Sequence, residues 1–161
     1  MVKKINLVVL SLMLVQNFLF AAQPIRTETP ELATNFTLLD LENKKFSLSD
    51  FKGKPLILFF WTTWCPYCRK GLKLLNTLHA QFLQNGVELV AINVEEPADK
   101  VQRFIGSYPL SYRVLLDTDT KVAQAFGILG VPTYILINKE GRIVFNNNYF
   151  PQEEYQDLIL K

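Results

Sequence analysis

Nearly continuous apolar runs in the middle of the chain predict strands that are buried on both faces. Residues 54–61 (KPLILFFW) and 87–94 (VELVAINV) are the longest of these runs, and both lengths suit strands. This pattern is typical of central strands in a sheet that helices cover on each side. Shorter runs predict three further strands, at 112–116, 133–138 and 142–146, the last two joined as a hairpin.

The hydrophobic period changes to a helical one after the first buried strand. The apolar residues that follow recur at helical spacing, and the pattern stops at Asn85 and Gly86; they are Leu72, Leu75, Leu78, Phe82 and Leu83. Such spacing with a glycine at its end predicts an amphipathic helix. Further helices are predicted at 97–108, 119–126 and 151–160.

Ahead of these elements, apolar and polar residues alternate on both sides of a turn-like segment, 42–45, which predicts a β-hairpin. The alternating apolar residues are Phe36, Leu38, Leu41, Phe46 and Leu48. The order of elements is therefore a hairpin followed by β-α-β-α-β-α-β-β-α. This order predicts an α/β fold in three layers, with helices on both faces of a central mixed sheet.

The first 22 residues have a different character from the rest. Lys3 and Lys4 precede a mostly apolar stretch, 5–20, which is typical of a secretion signal or an uncleaved N-terminal membrane anchor. The proline-containing segment 23–34 is interpreted as a linker, and 35–161 as the folded domain. Both interpretations of residues 1–22 place that domain outside the cytoplasm, in the periplasm or another extracytoplasmic space.

Charge argues against a nucleic-acid partner. The 161-residue chain has a formal net charge of +2, and Lys3 and Lys4 account for this excess. No block of like charge occurs in the remainder, so an electrostatic surface for nucleic acid is not expected.

The chain contains only two cysteines, Cys65 and Cys68, and their position points to chemistry. Cys65 falls between a buried strand and a helix, with Pro66 suited to the first helical position. The free N–H groups and the dipole at the start of that helix should stabilise a thiolate, so we expect the Cys65 thiol to have a lowered pKa. Arg69 and Lys70 add positive potential.

Cys68 lies one helical turn after Cys65 and is expected to be more buried, as a resolving thiol should be. Cys65 would attack a partner disulfide, and Cys68 would then release the reduced partner. A static structural disulfide is the first alternative, but it would close a very small loop. Half of a zinc site is the second, but His79 is the only histidine and is expected on a solvated helix position.

Two segments resemble the signatures of thioredoxin-like proteins. Residues 60–68 (FWTTWCPYC) are similar to their active-site segment, and residues 130–133 (GVPT) are similar to their second loop. Residues 40–55 and 114–119 resemble the extracytoplasmic TlpA/ResA-like branch. The resemblance covers about residues 35–160 and implies a thioredoxin fold with an added N-terminal hairpin.

The resemblance also implies a set of partner-binding residues. Val131–Pro132 would be a cis peptide facing the cysteines, with the Val131 backbone free to pair with an extended partner chain. Trp64, Pro66 and Tyr67 would complete the partner-binding surface. No metal is implied, and no cofactor beyond the redox-active disulfide of the two cysteines.

Two carboxylates of the family are missing from this sequence. Phe59 stands where thioredoxins have a buried aspartate, and Gly71 stands where the TlpA/ResA-like branch often has a glutamate. Glu95 or Glu96 is a candidate for proton transfer in their place, although an exposed loop acid is the interpretation favoured for each.

The expected function is that of a protein-disulfide reductase outside the cytoplasm. Its expected partners are protein disulfides and a membrane thiol–disulfide electron donor, and the expected state is a monomer. Cytochrome c maturation is a frequent task of this branch. A disulfide-inserting oxidase and a non-catalytic client-binding domain stay open as alternatives, whereas Trp64 ahead of Cys65 argues against a thiol peroxidase.

Overall fold

The computed structural model describes residues 30–160. The predicted signal or anchor, 1–22, and most of the predicted linker lie outside these residues. Seven strands and four α-helices follow one another in the described part of the chain. In chain order they are β1 (Thr37–Asp40), β2 (Lys45–Ser47), β3 (Leu56–Trp61), α1 (Pro66–Gln84), β4 (Glu88–Val94), α2 (Ala98–Ser107), β5 (Arg113–Asp117), α3 (Lys121–Ala125), β6 (Thr133–Ile137), β7 (Ile143–Asn147) and α4 (Tyr155–Ile159).

The strands form one mixed sheet in the order β2-β1-β5-β4-β3-β6-β7. β3, β4 and β5 run parallel to one another, while the remaining neighbours pair antiparallel. The predicted N-terminal hairpin is present as β1 and β2, and β1 joins it to the sheet through β5. The predicted α/β class is confirmed, and each central strand lies within one or two residues of its predicted bounds.

Alternate residues of β3 face opposite layers of the protein. Ile57, Phe59 and Trp61 pack with buried residues of α1, α2 and α4 on one side. Leu56, Leu58 and Phe60 pack with α3 and with Phe36 on the other side. All six β3 side chains are almost fully buried, each worth about 1.5–3 kcal/mol of hydrophobic stabilisation. β3 therefore anchors the turn that follows it.

Two helices are shorter than predicted. The segment 151–160 begins with turns in which the Pro151 carbonyl accepts hydrogen bonds from the N–H groups of Glu154 and Tyr155, so α4 starts only at Tyr155. α3 covers five residues because the turn at 118–120, in which Thr120 N–H donates to the Asp117 carbonyl, extends into the start of the predicted range. Leu48, predicted in the hairpin, instead opens a short 3₁₀-helix at Leu48–Phe51.

The end of the predicted linker is fixed to the sheet. Ala33 N–H donates to the Gly141 carbonyl, and Ile143 N–H donates to the Glu31 carbonyl. Arg142 also donates to the Pro30 carbonyl at 2.7 Å. These bonds extend the folded part of the chain to Pro30 and cover the start of the edge strand β7.

No helix among residues 30–160 has the length and apolar character needed to cross a membrane.

Asp117 connects β5 to α3 through a buried carboxylate. Its oxygens accept hydrogen bonds from the N–H groups of Val122 and Ala123 at 3.2 and 2.7 Å. We expect Asp117→Ala to lower the free energy of unfolding by about 1–3 kcal/mol, because two buried N–H groups lose their acceptor. Urea denaturation measures this change. Asp119→Ala, at a more exposed site in the same segment, is the matched control, and an equal effect of both variants would contradict the assignment.

Candidate active site

Cys65 occupies the N-cap of α1, directly after the turn that follows β3. Its sulfur accepts a hydrogen bond from Cys68 N–H at 3.1 Å, and its carbonyl accepts one from Arg69 N–H at 3.2 Å. Pro66 takes the first helical position, as predicted, where its missing N–H costs nothing. The sulfur is therefore held where the free N–H groups and dipole of α1 favour negative charge.

The two cysteines form a disulfide with a Cα–Cα distance of 5.2 Å. Cys68 is fully buried, whereas Cys65 has 4 % of its surface exposed. Both cysteines are thus buried in the disulfide, and the one at the helix start is the less shielded residue. After reduction, this arrangement offers one reachable thiol and one shielded thiol a single turn behind it, which is what disulfide exchange requires.

The loop before β6 lies beside the cysteines. Val131–Pro132 is a cis peptide bond, as the resemblance implied, and the Val131 carbonyl oxygen lies 3.8 Å from the Cys65 sulfur. Thr133 begins β6 and pairs with Phe60 near the end of β3. Because β6 runs antiparallel to β3, the start of one strand meets the end of the other, and the two signatures come together.

Three large apolar side chains stand exposed around this site. Trp64 and Tyr67 are 64 % and 70 % exposed, and Leu129 is fully exposed. Leu129 was not singled out from the sequence, since a lone leucine in a loop carries no pattern. Trp61, by contrast, belongs to the core, where its ring lies 5.4 Å from that of Phe104.

Two open cavities border the loop between α3 and β6. One, of about 770 Å³, lies between Tyr67 and residues 146–148. The other, of about 710 Å³, extends from Trp64 towards Glu96 and Lys100. Leu129 lies between them, so a chain crossing this loop would have room for side chains on both sides.

Aromatic rings fill the space beside Gly71, where the resemblance would have implied a carboxylate. Phe59 and Tyr134 lie with their ring centroids 4.7 Å apart, and a Cβ added at Gly71 would approach Phe59 to 2.8 Å. Burial raises the pKa of Tyr134 to about 12, so this hydroxyl stays protonated at neutral pH. Gly71 is therefore required by the packing beside Cys68.

Arg69 and Lys70 are engaged by neighbours other than the cysteines. The Arg69 guanidinium donates to the Thr63 carbonyl through Nε and Nη2, at 3.1 and 2.9 Å. The Lys70 ammonium lies 5.5 Å from the centre of the Tyr67 ring. Their charges act on Cys65 only through space.

The two candidate acids differ sharply. Glu95 is exposed, as expected, and has a positive φ of 61°. Glu96 is 4 % exposed, so its interpretation as an exposed loop acid is wrong. Burial raises the pKa of Glu96, but hydrogen bonds from Lys100, Asn93 and Thr63 outweigh burial and leave it below its usual value. Two of these hydrogen bonds come from Thr63, 33 residues earlier in the chain, which explains why the sequence did not show this.

His79 is half-buried rather than fully solvated. Its Nδ1 lies 2.8 Å from the Ser111 hydroxyl, and partial burial lowers its pKa. It lies about 20 Å further along the axis of α1 than Cys65, which is too far for its side chain to act on the sulfurs. Among residues 30–160, no three acidic, cysteine or histidine side chains cluster in a way that could hold a metal ion.

A pair of glycine substitutions tests the packing beside Cys68. We expect Gly71→Ala to lower the free energy of unfolding by about 1–3 kcal/mol, because the new methyl group collides with Phe59 and Tyr134. Gly106→Ala in α2 is the control, since its Cβ meets open space and alanine favours a helix by about 1 kcal/mol. Thermal unfolding of both variants measures the difference; a stabilised Gly71→Ala protein would contradict the packing described.

Comparison with known proteins agrees with this geometry. The sequence profile of the AhpC/TSA family matches residues 30–146. The thiol-disulfide oxidoreductase ResA of Bacillus subtilis (strain 168) is 40 % identical over 130 residues, which span 81 % of this chain and 72 % of the relative.

Solved structures show the same fold. The thioredoxin domain of a thiol-disulfide oxidoreductase from Bacteroides vulgatus superposes with a TM-score of 0.71 at 26 % identity, covering 80 % of this chain and 94 % of that one. StoA from Bacillus subtilis superposes with a TM-score of 0.67 at 26 % identity, over 80 % and 98 % of the two chains. The expected thioredoxin fold is confirmed. The chain therefore belongs to the AhpC/TSA family, among the thiol-disulfide oxidoreductases that resemble ResA.

Proposed function

We propose that this protein reduces disulfides in other proteins, with Cys65 as the attacking thiol and Cys68 as the resolving thiol. One observation carries the proposal: the Cys65 sulfur is the N-cap of α1 and accepts the Cys68 N–H at 3.1 Å. A sulfur in this position is stabilised as a thiolate, the form that attacks disulfides.

The reaction begins with both cysteines reduced. The Cys65 thiolate attacks one sulfur of the partner disulfide, and the partner's other sulfur leaves as a thiolate that takes up a proton. Cys68 then loses its proton and attacks the Cys65 sulfur of the mixed disulfide. The partner leaves with two thiols, and the enzyme keeps the Cys65–Cys68 disulfide, so two electrons have passed to the partner; one of its two protons is the one that Cys68 lost and the other comes from solvent.

The partner is held by the surface around the cysteines. The Val131 backbone precedes the pairing of β6 with β3 and is proposed to pair with an extended partner segment, beside Pro132. Pro66, Trp64 and Tyr67 are proposed to contact the same segment. The exposed Leu129, between the two cavities, favours partners with apolar side chains near their disulfide.

The proposed setting is extracytoplasmic, with the enzyme a monomer that a membrane thiol–disulfide donor keeps reduced. The basic start and apolar stretch of residues 1–20 support this location, as either a cleaved signal or an anchor. The similarity to the thiol-disulfide oxidoreductase ResA supports disulfide exchange, and we propose the reductive direction, with cytochrome c maturation as the task, from the resemblance to the TlpA/ResA-like branch. An oxidase is the second candidate, because the Pro-Tyr pair between the cysteines is that of glutaredoxins, which are more oxidising than thioredoxin.

Substitution of each cysteine separates their roles. We expect Cys65→Ser to abolish insulin-disulfide reduction, since no other thiol stands at the helix start. We expect Cys68→Ser to accumulate mixed disulfides with partners, because the resolving attack is lost. Turnover assays and non-reducing gels measure the two effects. Full activity in Cys65→Ser would rule out the proposed mechanism.

The redox state distinguishes a reductase from an oxidase. We expect a reduction potential of about −150 to −250 mV in equilibrium with glutathione, between thioredoxin and the strong oxidants. We also expect the cysteines to be reduced in the cell, which thiol trapping at harvest would show. A disulfide in the resting state would favour the oxidase.

A further inference from the structure

A polar cluster with a buried centre fixes the loop that leads into Cys65. We call it the Thr63 clamp; its members are Thr63, Asn93, Glu96, Lys100 and Arg69. Thr63 lies two residues before Cys65, beyond the last strand pairing of β3, which joins Trp61 to Asn93. The clamp thus acts on the part of the chain that the sheet no longer holds.

Glu96 is the centre of the clamp. One of its oxygens accepts hydrogen bonds from Thr63 N–H at 2.6 Å and from the Asn93 amide at 2.8 Å. The other accepts the Thr63 hydroxyl at 2.7 Å and the Lys100 ammonium at 2.7 Å. Four donors therefore converge on a carboxylate that is almost completely buried.

Arg69 completes the clamp from the first turn of α1. It donates two hydrogen bonds to the Thr63 carbonyl, so the N–H, hydroxyl and carbonyl groups of this residue are all engaged. The loop before Cys65 is thereby tied on one side to the end of β4 and the start of α2, and on the other to α1.

We propose that Glu96 is a positioning residue, which holds the Cys65 sulfur at the start of α1 by fixing Thr63. This inference rests on the proposed role of Cys65 as the attacking thiol. A buried carboxylate is costly unless every lone pair finds a donor, and here the donors include the loop of the nucleophile itself. Hydrogen bonds to the ionised form also make Glu96 a poor proton acceptor, which argues against the proton-transfer role considered from the sequence.

The Glu96→Gln variant separates the hydrogen bonds that Glu96 makes to the loop from its negative charge. Its amide oxygen can accept from Thr63 N–H and Asn93, while its NH₂ group donates to the Thr63 hydroxyl, which then acts as acceptor. Only the bond from Lys100 is lost. Glu96→Ala removes all four bonds and the charge together.

Two rates are measured for each variant. The first is alkylation of Cys65 by iodoacetamide at pH 7, in a Cys68→Ser background so that a single thiol reacts. The second is turnover in insulin reduction with both cysteines present. The rates of the wild-type protein test the proposed function, because they show whether Cys65 is reactive at all. The ratio of each variant rate to the wild-type rate tests the role of Glu96. The two proposals can therefore fail independently.

The positioning role predicts that both rates fall at least about fivefold in Glu96→Ala, because the displaced sulfur loses thiolate stabilisation. Glu96→Gln should restore both to within about twofold of the wild type, since three of the four hydrogen bonds persist. Arg103→Met, which breaks an exposed ion pair on α2, is the control and should leave both rates unchanged.

Two results would overturn the proposal. Turnover lost equally in Glu96→Gln and Glu96→Ala, with Cys65 alkylation intact, would show that the carboxylate transfers a proton. Unchanged rates in a folded Glu96→Ala protein would show that the clamp is only structural. If Glu96→Ala does not fold, Thr63→Ala takes its place: it loses one of the two Thr63–Glu96 bonds and should slow alkylation, and an unchanged rate would equally refute the positioning role.

Discussion

The turn from β3 into α1 is the constraint on which the rest of the site depends. A fully buried strand delivers the chain to a helix whose first residue is Pro66, and the residue between them, Cys65, becomes the N-cap. The sulfur then accepts the Cys68 N–H, which places it where the start of the helix favours a thiolate once the disulfide is reduced. The same helical turn places Cys68 behind it, fully buried.

The surrounding elements hold this turn and leave one side open. The start of β6 brings the Val131–Pro132 loop to the Cys65 sulfur, and the Thr63 clamp holds the segment that leads into α1. Phe59 and Tyr134 fill the space beside Gly71 with aromatic rings, where the resembling families place a carboxylate. The neighbours of Gly71 are thus aromatic rings, whereas the carboxylate of Glu96 lies on the other side, against the loop before Cys65.

Much of this arrangement is readable from local sequence patterns. The buried strands, the helix after Cys65 and the cis peptide before Pro132 follow from short apolar runs, from proline and from two recognisable motifs. Glu96 could not be placed from sequence, because two of its four hydrogen bonds come from Thr63, which lies 33 residues away and reaches Glu96 only in the folded chain. Leu129 was not predicted because it is fully exposed and so belongs to no pattern of buried apolar residues. The starts of α3 and α4 differ from the prediction because each follows a turn, and a turn has no periodic pattern of apolar residues by which to recognise it.

Direct titration of the Cys65 thiol tests the central claim. The ultraviolet absorbance of the thiolate is followed against pH in the reduced Cys68→Ser protein, where Cys65 is the single cysteine. Stabilisation at the helix start predicts an apparent pKa clearly below the value of about 8.5 for a free cysteine. A midpoint at or above that value would mean that the start of α1 does not activate this sulfur.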